Sequence, residues 1–195
     1  MRPSEIENWT LKIIDQLKAG ERIEESRVEV KTTWIDPQDA ARIIAGQANA
    51  ARGEPIFWII GVDEKNPNPV GVKKEELAVW WEQVKSNFEG IHPSMTDINV
   101  PVDGATVVSL FFETDRAPYV VKNPDFNKVK GKIKFEVPWR EGTSTRTARR
   151  SDLLRLLVPI THKPKIEILG GELVCSENRA SGALSWNLVA LKLYY

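Results

Sequence analysis

One apolar stretch constrains the fold of this chain more than any other. Residues 56–62 read Ile-Phe-Trp-Ile-Ile-Gly-Val and show no alternation of polar and apolar side chains. A strand that is apolar on both sides needs cover on both faces, so the stretch predicts a central strand of a layered sheet. The segment before it predicts a helix, because Asp36 supplies an N-cap, Pro37 suits the first turn, and alanines recur up to residue 51.

The elements around this strand predict the fold class. Residues 28–34 alternate like a strand, so the order strand, helix, strand favours a right-handed crossover between two parallel strands. Apolar residues at helical spacing predict further helices over about residues 5–18 and 77–88, and Asp103-Gly104 predicts the turn of a hairpin. We therefore expect an α/β (α+β) fold, with a mixed β-sheet flanked by helices and a β-rich C-terminal extension.

The chain changes character near residue 159. Residues 1–159 predict one domain, and residues 160–195 predict the start of a β-rich second module with strands at 165–168, 172–175 and 186–195. The sequence ends inside an apolar, strand-like pattern, which favours a piece of a longer protein. The alternative is a terminal strand that is tied into the sheet.

The composition excludes several kinds of protein. The 27 basic and 27 acidic residues cancel, so any surface for nucleic acid has to be a local patch. A single cysteine, Cys175, forms no internal disulfide and suits the cytoplasm, and no run approaches the ~20 apolar residues of a membrane span. The two histidines, His92 and His162, stand alone next to or near prolines, which argues against a histidine-activated nucleophile.

A basic patch is predicted between residues 122 and 150. Nine lysines and arginines face three acids there, a surplus of six positive charges. Hydroxyl groups and the backbone amides after Gly142 add donors for phosphate oxygens. The residues predicted to bind nucleic acid, including one from the strand near residue 30, are Lys31, Arg140, Thr143, Ser144, Arg146, Arg149 and Arg150. The alternative is a solvated loop and helix start.

Acidic residues crowd at the beginning of the first predicted strand. Glu29 and Lys31 are two residues apart and therefore point to the same side of the strand, with Glu24 or Glu25 in the preceding turn. A carboxylate and an ammonium group placed in this way can hold a metal ion and the phosphate that it neutralises. The alternative is an exposed polar strand face.

Several short motifs, in order and spacing, resemble the Schlafen AlbA_2 domain family over roughly residues 20–157. They are Glu24-x4-Glu29-Val30-Lys31, Ala48-Asn49, Ile60-Gly61-Val62-Asp63 and Trp139-Arg140-x-Gly142-Thr143-Ser144-Thr145. The sequence departs from the family at Ala50-Ala51-Arg52-Gly53, where a paired glycine usually follows the asparagine. This departure bears on how closely a ligand could approach the backbone at that turn.

The resemblance implies a nucleic-acid-binding domain of a larger regulatory protein, with RNA or DNA as its partner. A homodimer is a separate expectation, which the resemblance does not imply. In Schlafen ribonucleases, matching acids form a metal-dependent RNA-cleaving site, which would here be Glu24, Glu29 and Asp63 with Mg²⁺ or Mn²⁺. Lys31 would steady the scissile phosphate. Parallel neighbouring strands of equal length would hold Glu29 and Asp63 apart, so this alternative function needs a staggered register or antiparallel pairing. A module that senses a nucleotide or a partner is a further alternative.

Overall fold

The computed structural model describes residues 1–21, 26–63, 67–72, 75–126, 129–131, 133–157, 167–178 and 183–194. The helices in these ranges are α1 (Pro3–Lys18), α2 (Pro37–Ala51), α3 (Glu75–Lys85) and α4 (Arg150–Leu157). The strands are β1 (Val28–Lys31), β2 (Ile56–Ile60), β3 (Ser94–Val102), β4 (Ala105–Glu113), β5 (Val121–Lys122), β6 (Phe135–Glu136), β7 (Pro138–Glu141), β8 (Ser144–Thr147), β9 (Glu167–Asn178) and β10 (Ala183–Tyr194).

A four-stranded mixed sheet forms the centre of the first part of the chain, in the order β1-β2-β4-β3. Strand β1 pairs with β2 in parallel, with Glu29 opposite Trp58, and β4 pairs with β2 and β3 in antiparallel orientation. The predicted mixed sheet with flanking helices is confirmed. The predicted central strand is confirmed as well, since every residue of β2 is buried.

Helices cover both faces of this sheet. Helix α1 packs against one face, where alternate residues of β2 such as Phe57 and Ile59 are buried. Helices α2 and α3 cover the other face, which presents Ile56, Trp58 and Ile60. The alanines of α2 let its backbone lie close to the strands, as the sequence predicted. Asp36 caps this helix by accepting hydrogen bonds from the amides of Gln38 and Asp39.

The predicted hairpin joins β3 and β4. Its turn residues, Asp103 and Gly104, have φ angles of 48° and 81°, the left-handed values that a tight two-residue turn of this kind requires. Helix α2 ends in a related way, since Arg52 takes a φ of 54° and Gly53 one of 97°. Arg52 therefore adopts a left-handed conformation at a position where glycine would be less strained.

The chain divides into two compact units, Met1–Val158 and Pro159–Tyr195. In the second unit, β9 and β10 form an antiparallel two-stranded sheet. The three strands predicted there are two longer ones, because β9 continues through Gly170 and Gly171 where the sequence suggested a break. Leu184, Trp186 and Leu188 alternate along β10 and are exposed.

None of the helices within the described ranges combines the length and the hydrophobicity that crossing a bilayer requires.

Candidate nucleic-acid interface

Glu29 lies at the centre of an ion-pair network under α2. Its Oε1 lies 2.6 Å from Lys31 Nζ, and its Oε2 lies 3.0 Å from Nη2 of Arg140 on β7. Glu29 and Lys31 thus point the same way, as predicted. The carboxylate is not on an exposed strand face, however, because the Glu29 side chain is only 9% exposed and that of Arg140 12%.

Two residues that sequence analysis did not single out hold this carboxylate in place. Gln47 of α2 donates from Nε2 to Glu29 Oε2 at 3.3 Å and to the Ser26 carbonyl at 3.1 Å. Its Oε1 accepts a 2.7 Å hydrogen bond from Trp58 Nε1. The sequence does contain a signal for this role, because Gln47 stands among the alanines of a helix predicted to lie against the sheet. A glutamine buried in such a place needs hydrogen-bond partners for its amide group. The network joins β1, β2, α2 and β7, so Glu29 anchors the fold at this edge.

The predicted metal site is described only in part, because Glu24 lies outside the described residues. The parallel register places Asp63 five positions beyond the level of Glu29, and the amides of Gly61 and Val62 donate to the Lys31 carbonyl between them. Neither the antiparallel pairing nor the stagger that would bring the two acids together is present in β1 and β2. Among the described residues, no three acids, histidines or cysteines are grouped closely enough to hold a metal ion. The three-carboxylate site stays a prediction.

The hairpin of β7 and β8 carries several of the residues predicted to bind nucleic acid. Gly142 turns it with a φ of 59°, and Thr143 and Ser144 are exposed beside the turn. Trp139 is buried and faces Arg146 across the strand pair. The hairpin packs closely on α2, because a Cβ atom added at Gly46 would lie 2.7 Å from Thr145 Cγ2. This close contact fixes the position of the hairpin on α2.

An ion pair between α2 and β6 is hydrogen-bonded to the same hairpin. Arg42 Nε donates to Glu136 Oε1 at 2.7 Å, and its Nη1 donates to the Thr145 carbonyl at 2.9 Å. The hydroxyl of Thr147 donates to the other oxygen of Glu136, whose side chain is 1% exposed. Residues 42 and 136 are far apart in sequence, so no local pattern predicts this pair.

Arg146 takes up the two carboxylates of the region. Its Nε lies 2.7 Å from Glu141 Oε2, and its Nη1 lies 2.7 Å from Asp152 Oδ2. Hydrogen bonds from Arg146 lower the pKa of Glu141 and of Asp152, and the two acids in turn raise the pKa of Arg146. Arg146 was predicted to bind phosphate, but the structure gives it two partners within the chain.

The start of α4 presents exposed arginines. The backbone amide of Arg149, the residue before α4, donates to Asp152 Oδ2 at 2.8 Å. Asp152 is the third residue of the helix, and an acid at this position commonly accepts from the amide of the N-cap residue. The side chains of Arg149 and Arg150 are exposed and form no hydrogen bond or ion pair within the described ranges. Arg149 lies near enough to Glu141 for its charge to lower the pKa of that acid. Hairpin and helix start therefore form one surface, which we call the hairpin–α4 surface (residues 138–157).

The hairpin–α4 surface is positive overall. It contains five arginines (Arg140, Arg146, Arg149, Arg150 and Arg155) and two acids, Glu141 and Asp152, a difference of three positive charges. Arg146 already pairs with both acids of this surface. The exposed guanidinium groups of Arg149 and Arg150 are therefore available to a partner outside the chain.

Asn49, part of one of the motifs, clamps three segments together. Its Nδ2 donates to the carbonyls of Tyr119 and Pro138, each at 2.9 Å, and its Oδ1 accepts from the Tyr119 amide at 2.7 Å. The side chain is fully buried. Its amide group is thus occupied by backbone partners. Through its hydrogen bond to the Pro138 carbonyl, Asn49 holds the beginning of β7 against α2.

Comparisons with known proteins add little to this geometry. No protein-family model and no curated protein matches the chain. One solved structure, the DIP2311 protein from Corynebacterium diphtheriae, is similar with 14% identity and a TM-score of 0.44. The match covers 76% of this chain and 28% of that protein, so the chain spans under a third of its length. Membership in the Schlafen AlbA_2 family stays a prediction.

Proposed function

We propose that the first unit binds the phosphate backbone of RNA or DNA through the hairpin–α4 surface. The observation that carries this proposal is the pairing of Arg146 with Glu141 and Asp152, which uses the local acids and leaves Arg149 and Arg150 exposed. Phosphate contacts are made mainly by arginine, lysine, hydroxyl groups and helix N-termini, and this surface offers arginines, hydroxyls and a helix start.

The residues of the surface have different roles in this proposal. Arg149 and Arg150 neutralise phosphates, and the exposed hydroxyls of Thr143 and Ser144 donate to phosphate oxygens. Arg140 belongs to the Glu29 network and Arg146 to the acid pair, so both hold the surface in shape. Lys31, which is 30% exposed, also pairs with Glu29. Binding through phosphates alone carries no base preference.

Fluorescence anisotropy with labelled single- and double-stranded oligonucleotides, at several salt concentrations, tests the proposal. Because each neutralised phosphate adds to the salt dependence, we expect the slope of log affinity against log salt to be less steep by about 2 in the Arg149→Ala plus Arg150→Ala variant. Lys12→Ala plus Arg116→Ala removes the same number of positive charges from α1 and from the loop after β4, and it is the control for charge. It also removes the hydrogen bonds of Arg116 to the His92 carbonyl and the Ser94 hydroxyl, so its melting temperature is measured alongside.

Two outcomes would overturn the proposal. One is the absence of binding at low salt, and the other is an equal loss of affinity in the test and control variants. A melting-temperature shift with ATP but none with oligonucleotides would favour the nucleotide-sensing alternative, because a ligand stabilises the state to which it binds.

A further inference from the structure

The loop between β5 and β6 presents apolar side chains to solvent among lysines. We call residues 123–134 the β5–β6 loop. Phe126, Val129 and Ile133 are 41%, 47% and 61% exposed. The sequence of this loop contains four lysines and one acid, Asp125, a difference of three positive charges. Single exposed apolar residues are ordinary on a protein surface, but three within one short basic loop indicate a contact with something outside the chain.

Hydrogen bonds give the first part of the loop a defined shape. At the base, the Asn123 amide donates to the Lys134 carbonyl at 2.9 Å. The Asn123 side chain is buried, and its Oδ1 accepts from the Asp125 amide at 2.9 Å. The Phe126 amide donates to the Asn123 carbonyl at 3.1 Å. The Phe126 ring is therefore presented on a preformed turn, which reduces the entropy that is lost when it meets a ligand.

The β5–β6 loop adjoins the start of α4. The amide of Ala148, the residue before Arg149, donates to the Val137 carbonyl at 2.7 Å. Lys134 precedes Val137 by three residues, which span at most about 11 Å of extended chain. The loop and the hairpin–α4 surface are therefore neighbouring parts of one basic region of the first unit.

Two lysines of the loop have charges available for a partner. Lys130 and Lys134 are both exposed. Lys134 Nζ lies 5.1 Å from the centroid of the Phe135 ring, a cation–π contact that orients the ammonium group. Within the part of the chain that the structure describes, neither lysine forms an ion pair with a carboxylate. Both can therefore bind an anionic group outside the chain.

An exposed aromatic ring beside such lysines suits an unpaired base of a nucleic acid. The base stacks on the ring while the phosphates of the strand meet the ammonium groups, and single strands are commonly bound in this way. In a duplex, neighbouring bases cover both faces of each base. The Phe126 ring would find no free face there unless the duplex unstacked.

An anionic membrane is the other kind of partner that takes up apolar groups beside lysines. Asp125 disfavours a membrane, because this exposed acid directly precedes Phe126 and would be carried with it among anionic headgroups. Stacking needs only one face of the Phe126 ring and leaves Asp125 in water. The loop therefore favours a single-stranded nucleic acid.

We propose that the first unit prefers single-stranded to double-stranded RNA or DNA, because an unpaired base stacks on Phe126 and nearby phosphates bind Lys130 and Lys134. This inference rests on the proposed phosphate binding by the hairpin–α4 surface, which supplies the other phosphate contacts. It adds the form of nucleic acid that the surface selects.

Fluorescence anisotropy of the full chain with single-stranded oligonucleotides, as RNA and as DNA, and with duplexes of the same length tests this preference. Because stacking of one base contributes about 1–3 kcal/mol, we expect Phe126→Ala to weaken single-strand binding by about fivefold to 100-fold. Duplex binding should change by less than about twofold, since the ring has no part in it.

Further variants separate stacking from other effects. Phe126→Tyr keeps an aromatic ring and should bind single strands like the parent, whereas Phe126→Leu keeps an apolar side chain without a ring and should behave like Phe126→Ala. Lys130→Ala plus Lys134→Ala should make the salt slope for single strands less steep by about 1.4. Trp186→Ala removes an exposed ring from the second unit and is the control that changes neither.

The preference is overturned if duplexes bind as tightly as single strands, if Phe126→Leu binds single strands as tightly as Phe126→Tyr, or if Trp186→Ala weakens binding as much as Phe126→Ala. In each case a loss of affinity in Arg149→Ala plus Arg150→Ala would leave the phosphate-binding function standing. No binding of any oligonucleotide at low salt would remove both.

Vesicles of phosphatidylcholine and phosphatidylserine test the membrane alternative. We expect the chain not to sediment with them through Phe126. Sedimentation that Phe126→Ala abolishes, together with unchanged oligonucleotide affinity in that variant, would assign the loop to a membrane and overturn the proposal.

Discussion

Glu29 shows what a buried charge requires of its surroundings. Both oxygens of the carboxylate have charged partners, Lys31 on one side and Arg140 on the other, and Gln47 adds a neutral donor. Taking such groups out of water costs several kcal/mol, which good geometry only offsets. The network therefore contributes more to fixing β7 against β1 than to overall stability, and losing one partner leaves the other charge buried alone.

A double-mutant cycle at Glu29 and Arg140 measures this coupling. We expect Glu29→Leu to lower the free energy of unfolding by about 3–5 kcal/mol, because it leaves the Arg140 guanidinium buried without a carboxylate. Glu29→Leu plus Arg140→Leu should cost clearly less than the sum of the two single changes. Urea unfolding gives the values.

Lys31→Ala serves as the internal comparison for that cycle. Its side chain is 30% exposed, so we expect a loss of only about 0–1 kcal/mol. Additive single changes, or a Glu29→Leu variant as stable as the parent, would contradict the anchoring role. Either result would mean that the fold does not need the Glu29 carboxylate, which would then be available for the metal site that the sequence predicted.

At the scale of elements, the start of α4 depends on one acid. Asp152 accepts from the Arg149 amide and from Arg146, and these hydrogen bonds hold its pKa below the ordinary value of 3.8. A lowered pKa in the folded state means that the unfolded chain takes up the proton first as the pH falls. The stabilisation is therefore complete above the unfolded pKa and is lost at lower pH.

Acid titration of stability tests this role of Asp152. Between about pH 5 and pH 3, we expect the melting temperature of Asp152→Asn to fall less steeply than that of the parent, because the group that takes up the proton is gone. The variant should also be less stable than the parent at neutral pH. Asp125→Asn, at an exposed loop position, is the control. Parallel curves for Asp152→Asn and the parent would contradict the linkage.

The elements that the sequence predicted are those with local signals. Asp36 and Pro37 start α2, Asp103-Gly104 turns the β3–β4 hairpin, and an unbroken apolar run gives β2. The placement of the β7–β8 hairpin on α2 had no such signal, since it depends on Gly46 meeting Thr145. Likewise, the basic patch was predictable as a charge count, but which arginines remain unpaired depends on contacts such as that of Arg146 with Asp152.

At the scale of the whole molecule, the first unit is held together by contacts between distant parts of the chain. Asn49 bonds to residues 70 and 89 positions further along the sequence. Bringing such distant segments together lowers the entropy of the chain, by an amount that grows only slowly with loop length. This entropy is lost before the hydrogen bonds between the segments can form. One amide group thus links α2, the segment before β5 and the strand that carries the proposed interface.

The Asn49 clamp also bears on whether the proposed interface stays formed for as long as the central sheet does. Strand β7 receives one of its contacts with α2 from Asn49, so this contact is lost while the central sheet is intact only if the clamp opens by itself. We expect it not to, because the Tyr119 amide is buried and bonded to Asn49 at 2.7 Å. Native-state hydrogen exchange should then give this amide the same protection as the β2 amides, which we expect to exchange through global unfolding. Much faster exchange at Tyr119 would mean that the phosphate-binding surface forms and disperses while the central sheet stays intact.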